Sequence, residues 1–80
     1  MSDSNYVKTV MSVGSAYYFT MLTIRDFSKK ANTGESLKIL YKDELDSSVI
    51  ESINIIIKEI GLTAEIKTDT KPNYIIFTKE

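Results

Sequence analysis

Ser15, directly after Gly14, is the hydroxyl best placed for chemistry in this chain, because it stands where an extended segment gives way to a helical one. A nucleophilic hydroxyl needs a base to activate it. The 80 residues contain no His, so Lys, Asp or Glu would have to serve. Neither a Ser-x-x-Lys pair nor a Gly-x-Ser-x-Gly elbow is present. A phosphate cradle wants several glycines ahead of a helix, and this junction offers Gly14 alone. Cys is absent too, which removes thiolate chemistry and the usual nitrogen and sulfur metal ligands. A metal site would therefore rest on carboxylates. Asp43-Glu44-Leu45-Asp46 gathers three, but without EF-hand spacing. It reads as a solvated loop whose last acid caps the following helix. The expectation is a non-catalytic protein with no cofactor and no metal.

The other chemistry-bearing set is spaced for recognition. Tyr18, Leu22, Arg25 and Lys29 recur at steps of four, three and four, which lines them along one strip of a helix. Tyr and Leu beside Arg and Lys suit a protein or anionic-ligand contact. The alternative is an ordinary solvated helix face with isolated apolar residues. Ser15, at the start of the same segment, joins the strip as a candidate partner-binding residue.

The elements that must position these residues follow from periodicity and punctuation. Gly14, Gly34, Gly61 and Pro72 cut the chain into strand- and helix-sized pieces. Tyr6 to Val13 is rich in β-formers and predicts a first strand, with Val7, Thr9, Met11 and Val13 on one face and Tyr6, Lys8, Val10 and Ser12 on the other. Ala16 to Ala31 predicts a helix capped by Ser15, its apolar stripe formed by Tyr17, Thr20, Met21, Ile24, Phe27 and Ala31. Ser36 to Lys42 alternates as a second strand. A second helix follows Asp46-Ser-Ser48, with Ser48 and Glu51 at capping-box spacing. Its stripe is Val49, Ile50, Ile53, Ile56, Ile57 and Ile60, and Gly61 is its terminator. Thr63 to Thr68 and Asn73 to Lys79 predict an antiparallel hairpin across the turn Asp69-Thr-Lys-Pro72. The order β-α-β-α-β-β implies an α+β fold. It is a two-layer sandwich, with a mixed four-stranded sheet and both helices on one face.

With one sheet face uncovered, apolar residues on both sides of the second and fourth strands suggest an exposed patch. Val10, Leu40, Ile75 and Phe77 are the candidate dimer face. The alternative is a face sheltered by the stems of Lys38, Lys42 and Lys67.

Composition bounds the rest. The chain is 42% hydrophobic and 26% charged, with net charge −1, as expected of a single globular domain over residues 1–80. A sequence-independent nucleic-acid binder would carry a basic excess, which argues against nucleic acid as a partner. The polar start Met1-Ser-Asp-Ser-Asn5 reads as a frayed terminus rather than a signal peptide. Short apolar runs such as Ile55 to Ile57 are far short of the ~20 residues a membrane span needs. A cytoplasmic protein is expected, with no membrane association, and with a protein partner or a second copy as its target.

The stretch Gly34-Glu-Ser-Leu-Lys-Ile-Leu-Tyr-Lys-Asp43, the helix behind it, Ile60-Gly61 and the closing hairpin ending Tyr74-Ile-Ile-Phe-Thr-Lys79 resemble the TusA/SirA-type sulfur-carrier proteins. The resemblance spans nearly the whole chain and implies the same element order, with docking to partner proteins through the first helix. That family carries Cys-Pro-x-Pro where the first strand meets the first helix. Here the place reads Gly14-Ser15-Ala16-Tyr17-Tyr18, with Ser15 near the Cys position. A hydroxyl cannot form a persulfide, so sulfur carriage does not transfer. A weaker resemblance, to the archaeal chromatin protein Alba, implies nucleic-acid binding. Its junction lysines and long basic hairpin are replaced here by Gly14-Ser15-Ala16 and by Lys71 beside Asp69.

Overall fold

The computed structural model describes residues 7–80, so the expectations for Met1 to Asn5 and for Tyr6 lie outside the described residues. The elements are β1 (Val7–Met11), α1 (Ala16–Lys30), β2 (Ser36–Tyr41), α2 (Ser47–Ile60), β3 (Leu62–Lys67) and β4 (Asn73–Lys79). They form the two-layer α+β arrangement in the predicted order. The sheet runs β1-β2-β4-β3. β1 lies parallel to β2, and β4 lies antiparallel to both β2 and β3.

Each helix has a local reason to begin and end. Ser15 caps α1 in extended conformation, its hydroxyl accepting from the Tyr18 N–H at 3.3 Å. Lys29 and Lys30 sit in the last turn, where a cation suits the helix dipole. In α2 the cap is Asp46, the last acid of the Asp43–Asp46 loop as expected, whose carboxylate accepts from the Val49 N–H at 3.2 Å. The expected Ser48–Glu51 capping box is therefore corrected. The helix already starts at Ser47, and the Ser48 hydroxyl donates to Asp46 Oδ1 at 2.9 Å. The Ser48 hydroxyl, then the Val49 N–H, hold the Asp46 carboxyl below the usual carboxylate range. Gly61 ends α2 in the left-handed region, at φ 76°, where a Cβ would be strained.

The core lies between the helices and one sheet face. Ile24, Ile53 and Ile57 from the helices meet Leu37, Ile39, Tyr41, Leu62, Ile75 and Phe77 from the strands. The registers Leu37↔Phe77 and Ile39↔Ile75 set these side chains on one side of the two central strands. Ala64 and Ile66 join them from β3, opposite Phe77 and Ile75. On α1 the predicted stripe packs inward through Thr20 and Ile24, with Phe27 half-buried beside them. Phe19 also packs on the core, a contact the stripe did not include.

Boundaries moved by one or two residues at several ends. β1 stops at Met11 rather than Val13, although the Ser12 N–H still donates to the Leu40 carbonyl at 2.8 Å. Ala31 caps α1, and Lys42 falls outside β2. β3 covers Leu62–Lys67 in place of Thr63 to Thr68. In the β3–β4 turn, buried Asn73 turns its amide nitrogen toward the carbonyls of Thr70 and Thr68, at 2.9 and 3.0 Å. Among the described residues, no helix is long and apolar enough to cross a membrane.

Polar groups inside the core are paired. Thr20 Oγ1 and the Tyr41 hydroxyl lie 2.6 Å apart, and both residues are almost wholly buried. A second junction ties three elements. The Ser28 hydroxyl donates to the Ile60 carbonyl at 2.8 Å, and Lys79 Nζ donates to the Ser28 carbonyl at 2.6 Å. A carbonyl of the last turn of α1 thus gains a cationic donor.

Burial pushes the Tyr41 phenol up to about 12, against the opposing pull of its bond to Thr20. The unfolded phenol ionises near its ordinary value of 10.0. This group's contribution is therefore complete below pH 10 and is lost as pH rises through the folded value. Stability should fall by on the order of 2 kcal/mol across that window from Tyr41 alone. Urea titrations of wild type and Tyr41→Phe test this, the variant being expected to lack that part of the alkaline loss. At neutral pH Tyr41→Phe should cost about 1–3 kcal/mol by orphaning the Thr20 hydroxyl, and Thr20→Val added to it should restore much of the loss.

Candidate functional site

α1 presents its outer strip as the spacing predicts. Tyr18 and Leu22 are 62% and 66% exposed, and Arg25 and Lys29 are exposed further along the same helix. The inward face holds Thr20 and Ile24 at 0%, so the two faces of α1 divide sharply. The Tyr18 ring meets Tyr17 edge-on, with centroids 5.5 Å apart, a geometry that aromatic pairs favour. The ion pair on this helix is Lys30–Asp26, at 3.1 Å. No ion pair among the described residues includes Arg25 or Lys29. The strip therefore offers an apolar end and a cationic end.

Ser15 sits at the head of the strip, but its hydroxyl is engaged as the α1 cap. It lines neither of two surface clefts. One, of about 300 Å³, lies between β1 and α1 and is lined by Lys8, Val10, Asp26, Phe27, Lys30 and Glu35. Its cations and anions balance around an apolar floor. The other, of about 400 Å³, lies between the end of β2 and the β3–β4 turn and includes Lys42, Asp43, Glu44, Asp69 and Lys71. It too mixes both signs. Neither cleft brings a base to Ser15.

The candidate dimer face requires correction. Of Val10, Leu40, Ile75 and Phe77, only Leu40 stands on the uncovered side of the sheet. Ile75 and Phe77 are wholly buried beneath the helices. Val10 pairs with Ile39 and packs on the same core. The physical reason is the register of β4 on β2. Tyr74 to Phe77 are all apolar or aromatic, so period-two alternation could not assign their faces, and pairing decided it. The open face instead carries Leu40, Tyr74 and Ile76, all half-buried. Lys38 Nζ lies 4.2 Å from the centre of the Tyr74 ring, a cation–π contact that shelters part of that face.

What sequence reading missed is the margin of the sheet. Val7 and Met11 are 46% and 42% exposed, and Val13 just beyond them is 64% exposed. With Tyr18 and Leu22, they make up nearly all the exposed large apolar side chains among the described residues, Ile55 being the remainder. The available signal was that Val7, Thr9 and Met11 share one strand face; strand order, which places β1 at an edge, was not readable.

No family model, curated protein or solved structure matches this chain.

If Ser15 acts as a cap, Ser15→Ala should destabilise the fold by about 0.5–1 kcal/mol and Ser15→Asp should recover most of it. Chemical denaturation of the variants measures this.

Proposed function

We propose that this chain is a non-catalytic, cysteine-less protein-binding or assembly module of TusA/SirA-like architecture, docking its partner on the outer strip of α1. The observation that carries the reading is the exposure of Tyr18 and Leu22, 62% and 66%, on a helix whose opposite face holds Thr20 and Ile24 at 0%. Isolated surface apolar residues are ordinary. Here the two lie one turn apart and run into Arg25 and Lys29 on the same strip. Tyr and Arg are enriched at protein interfaces, and cations at the rim steer an acidic partner.

The partner that fits is a protein surface with an apolar recess and carboxylates beside it. The TusA/SirA-like element order makes sulfur-transfer proteins the first class to test. The role is then to occupy or assemble such a protein without carrying sulfur, since the chain has no Cys to form a persulfide. Ser15 contributes by fixing where α1 begins.

A photo-cross-linking residue placed at Leu22, with a control at Ile55, tests the reading in cells. The Leu22 probe is expected to give a discrete protein adduct that the Ile55 probe does not. The purified partner should then bind the Tyr18→Ala/Leu22→Ala variant at least roughly tenfold more weakly than wild type. Identical adducts from both positions, or unchanged affinity, would sink the proposal.

A further inference from the structure

We infer that β1 is the edge through which two copies of this chain join, antiparallel and two-fold symmetric about Thr9, to make one continuous sheet. This goes beyond the α1 strip and stands on different residues. The Ser12 N–H points to β2, donating to Leu40. By the alternation of a ladder, Val10 and Lys8 also turn their backbone groups to β2. The N–H and C=O groups of Val7, Thr9 and Met11 therefore face outward. Among the described residues, no strand pairs with that side of β1.

The side chains on this edge are self-complementary. A two-fold axis at Thr9 sets Val7 of one copy opposite Met11 of the other, and Thr9 opposite Thr9. Apolar meets apolar and hydroxyl meets hydroxyl on the face away from the helices. On the helix face, Lys8 falls opposite Val10 of the second copy, so no two lysines are directly opposed. The axis also satisfies the backbone. Thr9 faces outward, so the central pair exchanges both its hydrogen bonds, and so does each Val7–Met11 pair. An axis on Lys8 or Val10 would set inward-turned groups against each other.

The opposite edge is built differently. β3 carries Thr63, Glu65 and Lys67 on the face where β1 carries Val7, Thr9 and Met11, with Lys67 and Glu65 at 3.6 Å. Charged side chains of this kind discourage strand addition at an edge. β1 has none on that face. A second copy is the occupant that matches β1 residue for residue.

Light scattering coupled to size exclusion, over micromolar to millimolar concentrations, is the first measurement. The expected mass is twice 9.1 kDa. Thr9→Lys brings like charges together at the axis, and Thr9→Pro removes an outward N–H that the β2 ladder does not use. Each should weaken the dimer by roughly tenfold or more, with the circular dichroism of the monomer retained. Because the chain lacks Cys, Thr9→Cys reports the register directly. It should oxidise to a covalent dimer far faster than Ile55→Cys. Tyr18→Ala/Leu22→Ala should keep the dimer mass, which separates this inference from the α1 reading. A monomer at every concentration would overturn it. So would a dimer that survives both Thr9 variants, or Thr9→Cys cross-linking no faster than Ile55→Cys.

Discussion

The antiparallel register of β2 on β4 decides what the remaining elements can do. These are the two central strands of the sheet. Leu37 opposite Phe77 and Ile39 opposite Ile75 supply the buried floor on which both helices rest. A slip of one residue would set Tyr74 and Ile76 beneath the helices and turn Phe77 and Ile75 to the open side. Tyr41 opposite Asn73 marks the end of this floor, and both are buried by different means. Tyr41 finds Thr20 on α1, while Asn73 reaches back to the turn carbonyls of Thr68 and Thr70. Polar pairing thus fixes the ends of an apolar register that hydrophobicity alone would leave ambiguous.

The same register explains why the surface is uneven. α1 and α2 cover one side, and the other is sheltered in its middle by the Lys38–Tyr74 contact. Exposure of large apolar groups moves outward to β1, to Val13 and to the far side of α1. Recognition surfaces on a small domain must come from whatever the core leaves over. Here the remainder is concentrated at one margin and on one helix.

Most of the architecture was legible because its signals were local. The α2 stripe of Val49, Ile50, Ile53, Ile56, Ile57 and Ile60 is half-buried or buried throughout, and Gly61 takes the left-handed conformation expected of it. Ser15 caps α1 as its position implies. The strip of Tyr18, Leu22, Arg25 and Lys29 was readable because helix spacing alone separates inside from outside. The errors arose where a non-local fact was needed. Ile75 and Phe77 could not be told from Tyr74 and Ile76 without the pairing partner. Val10 was misplaced because the direction in which β1 faces depends on β2. The α2 cap was legible locally in part: the last acid of the Asp43–Asp46 loop caps the helix as expected, and it takes the Ser48 hydroxyl as well as the Val49 N–H, so the Ser48–Glu51 box does not form.

Strand order carries a temporal consequence. β4, the last of the described elements along the chain, lies between β2 and β3. During vectorial synthesis, β1, α1, β2, α2 and β3 leave the ribosome before the strand that joins them. Until residues 73–79 emerge, β2 offers an unpaired inner edge and the isoleucines of α2 lack the part of the core that Ile75 and Phe77 supply. Long-range pairing of this kind delays the folding of a nascent chain and prolongs its exposure to chaperones.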